Sequence, residues 1–240
     1  MNVIVIIPAA GLGTRMAAAS GARVVPAASK QFTELDGVPI LVHTLRKFVA
    51  VLQVSEIYLA LRPSEAAGYQ PRLAQEKLGK PVRVVEGGEH RQQSVAHALA
   101  ALKAAPDDVI LVHDAVRPLV DPEIIHNVIE AAVRHGAAIA AVPAVDTIKQ
   151  VERTAEGAVI RATIPRAQIV MAQTPQGFRY DVLKKAFAEA EADGFTGTDE
   201  ASLVERSGHE VFVVMGSTRN IKITTPADLE LAEFFLKHSS

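Results

Sequence analysis

Short apolar runs alternate along this chain with longer stretches of helical spacing. The runs "NVIVII", "EIYLAL", "PVRVVE", "DVILVHD", "AAIAAVP", "IVMAQ" and "EVFVVMG" are rich in β-branched residues and bounded by Pro, Gly or Asp, which predicts strands buried on both faces. Between them, residues 39–51, 64–78, 92–103, 122–135, 181–193 and 226–237 carry apolar positions three and four apart, as at Val95, Leu99 and Leu102, and predict helices. Strands alternating with helices imply an α/β fold with a mostly parallel sheet covered on both faces. Ligands in such folds sit beyond the carboxyl ends of the strands.

One segment breaks the alternation. From Asp146 to Phe178, period-2 patterning in "TIKQVE" and "AVIRAT" surrounds a turn at Thr154 to Gly157, which predicts a β-hairpin arm standing off the main sheet. A lone two-stranded hairpin is marginal in water, so a second subunit is the expected support. No linker, low-complexity tract or repeat divides the chain, and residues 1–240 are expected to form a single domain with the arm at about 146–178.

At 240 residues and 49% hydrophobic content the chain can bury a substantial core. A net charge of −2 gives no reason to expect nucleic acid, so anion recognition must come from local clusters. The absence of Cys excludes disulfides and thiolate metal sites and fits a reducing compartment. The apolar opening has no basic leader and falls short of the ~20 residues of a membrane span, so a cytoplasmic protein off the membrane is expected.

After the first strand, "PAAGLGTRM" exposes backbone from Ala9 to Gly13, where N–H groups can approach an anion closely. The stretch fits neither named phosphate loop: Met16 replaces the third small residue of the dinucleotide fingerprint, and the Walker Lys-Ser/Thr pair is absent. Instead the loop carries Arg15. A second glycine pair, Gly87 and Gly88, opens a helix with Arg91 and Ser94 and suits a nucleotide or a plain capped helix start equally well. "VHDAVRPLV" puts Asp114 and Arg117 at a strand end, where they either hold a ligand or pair with each other. Thr198 and Asp199 read as helix N-caps, Thr225, Pro226 and Asp228 as another helix start, and Lys222 stands between two isoleucines.

Arg15, Lys30, Arg91, Arg117 and Lys222 thus gather at strand ends, with no Ser/His/Asp set and no thiol nucleophile. A cation-rich site suits phosphoryl or nucleotidyl transfer, which depends on positioning and charge stabilisation. A phosphate nucleophile is already an anion at neutral pH and needs no general base. No protein metal ligand set is expected. Mg²⁺, if used, would take most of its oxygens from phosphates.

Taken together and in order, "PAAGLGTRM", "SKQF", "GGEHRQQSV", "VHDAVRPLV", "DTIK", "QTPQGF", "TDEASLVE" and "NIKITTPADLELA" resemble the 2-C-methyl-D-erythritol 4-phosphate cytidylyltransferase family across nearly the whole chain. The resemblance implies a Rossmann-like three-layer α/β/α fold whose arm interlocks two subunits of a homodimer. It also implies Mg²⁺-dependent transfer of CMP from CTP to methylerythritol phosphate, with release of pyrophosphate. By motif it places Arg15 and Lys30 on the triphosphate, and Pro8, Ala9, Ala10, Gly11, Gly13, Gly88, Arg91 and Ser94 at CTP. Asp114, Arg117, Thr198 and Lys222 fall around the reacting phosphate and polyol, Lys222 among the catalytic groups. In the arm, Arg166, also counted among the catalytic groups, and Thr174 fall where the family reaches the neighbouring subunit's substrate, with Thr147 nearby.

Two departures stand out. "AAASGARVVPAA" lengthens the link to Lys30, where Ser29 replaces a proline, and Thr14 stands where a second basic residue is common. The competing readings are a ribitol 5-phosphate cytidylyltransferase, a nicotinamide oxidoreductase and a non-catalytic nucleotide-binding module.

Overall fold

The computed structural model describes residues 1–11 and 30–238. A seven-stranded sheet in the order β11-β7-β10-β6-β1-β4-β5 forms its centre. The strands are β1 (Val3–Pro8), β4 (Val54–Leu61), β5 (Val82–Glu86), β6 (Val109–Val112), β7 (Ala137–Pro143), β10 (Val170–Arg179) and β11 (Phe212–Met215). β1 runs parallel to β4 and β6, β4 to β5, and β7 to β11, while β10 alone is antiparallel to its neighbours β6 and β7.

The strand alternation feeds two cores. Val3, Val5 and Ile7 pack with Leu41, Leu45 and Phe48 of α1 (Ile40–Val49) and with Ile125, Val128 and Ile129 of α4 (Pro122–His135). Ile4 and Ile6 join Val95, Ala98 and Leu99 of α3 (Arg91–Ala101) and Leu183, Ala186 and Phe187 of α5 (Tyr180–Ala192). Successive side chains of one strand point to opposite faces, so a β1 buried on both sides requires the three layers. The predicted helices form within a few residues of their expected bounds; α2 is Pro63–Gln75 and α7 is Pro226–Lys237. Their ends follow local chemistry. Asp121 caps α4 by accepting from Glu123 N–H, and α4 stops at Gly136, whose φ of 86° disfavours other residues.

Two small features escape the pattern. A ladder of two-residue strands, β2 (Glu34–Leu35) and β3 (Val38–Pro39), precedes α1 and is too short for any periodicity to register. The stretch carrying Lys222, between β11 and α7, forms no regular strand; Ile223 is buried against Leu35, Ile40 and Val116.

The expected arm is present. β8 (Ile148–Thr154) and β9 (Gly157–Ile164) pair antiparallel around the anticipated turn as a separate two-stranded sheet. The chain rejoins the main sheet at Val170, paired with Pro143, so the segment up to Phe178 belongs to β10 and not to the arm. The arm exposes Val151, Val159 and Ile160.

Candidate active site

Because β1, β4, β5 and β6 are parallel, their carboxyl ends lie side by side, and the loops that follow enclose a cleft. Pro8 to Gly11 after β1 and Gly88 to Arg91 after β5 line one part of it; Asp114 to Val116 after β6, with Lys30, Gln31 and Lys222, line the rest. A second cavity shares Arg91, Asp114 and Lys222 with the first and extends to Arg117, Thr174, Gln176 and Thr198.

The two glycine-rich loops extend the sheet by one residue each: Ala9 N–H donates to the Ala60 carbonyl at 2.8 Å and Gly87 N–H to Leu61 at 2.6 Å. They lie so close that a Cβ on Gly87 would stand 2.6 Å from the Ala10 Cβ. This wall is therefore backbone by necessity. Ser94 shapes it: its Oγ accepts from Gly88 N–H at 3.1 Å and donates to the His90 carbonyl at 3.1 Å. His90, not a glycine, caps α3, reciprocally with Gln93.

Lys30 opens a 3₁₀ turn at Lys30–Phe32, and the buried Gln31 amide donates to the Ala9 carbonyl, tying that turn to the first loop. Phe32 packs on Tyr69 of α2, ring centroids 4.9 Å apart.

Asp114 is the electrostatic hub. One carboxylate oxygen meets Arg91 Nε at 3.2 Å; the other meets Lys222 Nζ at 2.9 Å and Arg117 Nε at 3.3 Å. Its own backbone N–H donates to Thr174 Oγ1 at 3.0 Å. Burial alone would push this carboxyl up, but Arg91, Lys222 and Arg117 outweigh it and hold the group well below the usual carboxylate range. Arg117 also donates to the Asn220 carbonyl at 2.6 Å, and Asn220 in turn donates to the Thr174 carbonyl at 2.8 Å. Three loops distant in sequence are thereby fastened around one charge.

His113 supports this turn from below. It is fully buried beside Phe48, and its Nε2 lies 3.1 Å from the Arg117 carbonyl, which accepts. Burial pulls its pKa down to about 4; the hydrogen bond to the Arg117 carbonyl and the charge of Asp114 oppose the drop, and the charges of Arg117 and Arg91 add to it. Between pH 6.5 and 4 the unfolded chain therefore takes up a proton that the native chain refuses, and this contribution to stability is lost as pH falls through that window. The expected loss is about 3 kcal/mol. Asp114, whose folded pKa is depressed, loses its contribution only at lower pH, whereas burial raises the Glu200 carboxyl and gives the opposite sign. Urea denaturation between pH 7 and 4.5 checks this: His113→Gln should flatten the fall, and an unchanged slope would assign it elsewhere.

The structure thus brings together Pro8, Ala9, Ala10, Gly11, Lys30, Gly88, Arg91, Ser94, Asp114, Arg117, Thr174, Thr198 and Lys222 around two adjoining cavities. Gly13 and Arg15 lie outside the described residues. Thr147 and Arg166 are exposed at the base of the arm, just outside β8 and β9, and line neither cavity, with Arg166 donating to the Val145 carbonyl at 2.8 Å. Asp199, not Thr198, caps α6 (Glu200–Arg206), leaving Thr198 exposed at the second cavity. The Asp114–Arg117 pair and the Lys222–Asp114 contact show that pairing within the site and a place in the cavity wall coexist. Sequence reasoning missed Gln31 and Gln176, which line the cavities themselves, and Glu200 and Asn220, which hold lining residues from behind. Only their position inside the quoted motifs marks them.

A family model described as 2-C-methyl-D-erythritol 4-phosphate cytidylyltransferase matches residues 3–238. A protein of that name from Acidobacterium capsulatum is 60% identical over 240 residues, covering 100% of this chain and 99% of its own. The crystal structure of 4-diphosphocytidyl-2C-methyl-D-erythritol synthase from Anaerococcus prevotii superimposes with a TM-score of 0.81 at 29% identity, covering 99% of both chains. That of the 2-C-methyl-D-erythritol 4-phosphate cytidylyltransferase from Francisella tularensis gives 0.79 at 35% identity, covering 98% of this chain and 99% of that one.

Proposed function

The chain belongs to the 2-C-methyl-D-erythritol 4-phosphate cytidylyltransferase family of isoprenoid-pathway nucleotidyltransferases, and from that premise we propose that its strand-end cleft holds CTP while the adjoining cavity holds methylerythritol phosphate. The observation that carries this reading is the shared wall of Arg91, Asp114 and Lys222, which puts the two cavities in contact. A reaction between two phosphates needs such a junction. The backbone wall of Ala9 to Gly11 and Gly88, with Ser94, is shaped for the nucleoside, and Lys30 and Arg15 are assigned to the triphosphate.

An oxygen of the polyol phosphate attacks the α-phosphorus of CTP, forming the new P–O bond as the bond to the bridging oxygen breaks and pyrophosphate leaves. Lys30, Arg15 and Lys222 stabilise the charge that builds on the α-phosphoryl oxygens, and Arg117 holds the incoming phosphate. Asp114 accepts from polyol hydroxyls and Thr198 contacts the same substrate. The nucleophile is already an anion, so no base is required.

Among the described residues no group of three or more His, Cys, Asp or Glu side chains comes together as a metal cage, and Asp114, the carboxylate that lines both cavities, is occupied by cations. These donors fit Mg²⁺ carried on the CTP oxygens, where it would neutralise phosphate charge. Among those residues no helix is long and apolar enough to cross a membrane, and with no Cys in the chain this supports a cytoplasmic place.

The exposed arm supports a homodimer in which Arg166 and Thr147 reach the partner's polyol phosphate. Arg166→Ala should then raise KM for methylerythritol phosphate about tenfold while KM for CTP holds. Unchanged polyol kinetics, or a fully active monomer in sedimentation, would remove the shared-site arrangement. The activity itself is tested by pyrophosphate release with CTP, Mg²⁺ and, in parallel, methylerythritol phosphate and ribitol phosphate. The names of the relatives favour turnover with the first; release with ribitol phosphate alone would overturn the assignment.

A further inference from the structure

Behind the wall shared by the two cavities stands a charge that neither cavity touches. Glu200, at the first position of α6, is 1% exposed, and both its carboxylate oxygens lie 2.7 Å from Arg91 Nη1. Arg91 Nε turns the other way, to Asp114 Oδ1 at 3.2 Å, and Asp114 Oδ2 meets Lys222 at 2.9 Å. The result is one series, carboxylate, guanidinium, carboxylate, ammonium, running from the interior to the cleft. Arg91, Asp114 and Lys222 line both cavities, and Glu200 lines neither.

Glu200 itself is rigidly mounted. Asp199 caps α6 through Ser202 N–H at 3.0 Å, Gln176 of β10 donates to Asp199 Oδ2 at 2.8 Å and accepts from Ala201 N–H at 3.1 Å, and Ala201, Leu203 and Val204 are buried. A buried carboxylate is costly unless paired, so one whose ion-pair partner is Arg91 is strong reason to look for a role in fixing that side chain.

We propose that Glu200 is a positioning residue: it holds Arg91, and through Arg91 Asp114, in the one arrangement that serves both substrates. The proposal rests on assigning CTP to the first cavity and the polyol phosphate to the second. Without the anchor, Arg91 regains rotamer freedom that each substrate must then remove on binding. Both substrates should weaken together, although Glu200 touches neither.

Glu200→Gln keeps the shape and removes the charge. It is expected to raise KM for CTP and for methylerythritol phosphate about tenfold each, with kcat changed by less than about threefold and Tm within a few degrees of the parent. A purely structural role would instead lower Tm and the active fraction and leave KM alone. The cycle with Arg91→Ala isolates the route: in that background Glu200→Gln should change neither KM and should raise Tm, because the carboxylate it removes is already orphaned. If Arg91→Ala does not fold, the cycle runs in Arg91→Lys, which keeps the charge and loses the fork. Unchanged KM values in Glu200→Gln, or the same tenfold rise in the Arg91 variant, would overturn the proposal. Absence of any CTP-dependent pyrophosphate release by the parent protein would instead sink the functional reading beneath it.

Discussion

Lys30→Ala is expected to lower kcat on the order of 10²-fold, with KM for CTP changed far less. The ammonium sits on a short 3₁₀ turn whose position is set by Gln31 bonding the Ala9 carbonyl and by Phe32 on Tyr69, so it is delivered to the cleft by packing as well as by its own reach. Removing one preorganised donor to a developing oxyanion typically costs 10²- to 10³-fold in turnover, because the charge it answers exists mainly in the transition state. The turn's anchors are untouched by the change, so the fold should survive it. Single-turnover and steady-state kinetics at saturating substrates check this, and near-parental turnover would remove Lys30 from the chemistry. The same measure applies to Arg15→Ala.

Asp114→Asn carries the largest expected loss in stability, together with a loss of activity comparable to that of Lys30→Ala. Asp114 is 6% exposed, its carboxylate faces Arg91, Lys222 and Arg117, and the amide leaves three partly buried cations with little to offset their repulsion. Removing one partner from a buried ionic cluster costs about 3 kcal/mol or more. Arg91 keeps Glu200, which limits the damage to the side of the cluster facing the polyol. The variant should therefore fold, melt lower, and lose on the order of 10²-fold in kcat/KM for methylerythritol phosphate, with KM for CTP less affected. Thermal denaturation beside kinetics decides it; a parental Tm would mean that the cations do not depend on Asp114.

Much of this architecture is legible in the chain. Buried parallel strands write continuous β-branched runs, and amphipathic helices write a 3.6 period, so the elements and the strand-end location of the site follow from local pattern. But β5 and β11, read as buried on both faces, are edge strands, and β11 exposes Phe212, Val213 and Met215. Ala9 to Gly11 and the Gly87–Gly88 pair mark loops because side-chain-poor backbone has few other uses. Less legible is anything decided across the sheet. β10 reads as a short apolar run, yet it is an antiparallel strand of ten residues between β6 and β7, and its Thr174, Gln176 and Gly177 become clear only once those neighbours are in place. Gly177 is a case in point: a Cβ there would lie 2.8 Å from Val128 Cγ1 of α4, a contact between residues far apart in sequence. Likewise Glu200 looks like an ordinary acidic residue at a helix start, and only its partner, more than a hundred positions earlier, turns it into part of the site.

Crystallography of the protein with CTP bound is the most direct measurement. The cytidine should rest on the backbone of Ala9 to Gly11 and Gly88 beside Ser94, with the phosphates toward Lys30 and the α-phosphorus facing the wall of Arg91, Asp114 and Lys222. A nucleotide seated in the groove between α3 and α5, near His97 and Phe187, with those cations free of phosphate, would contradict the account.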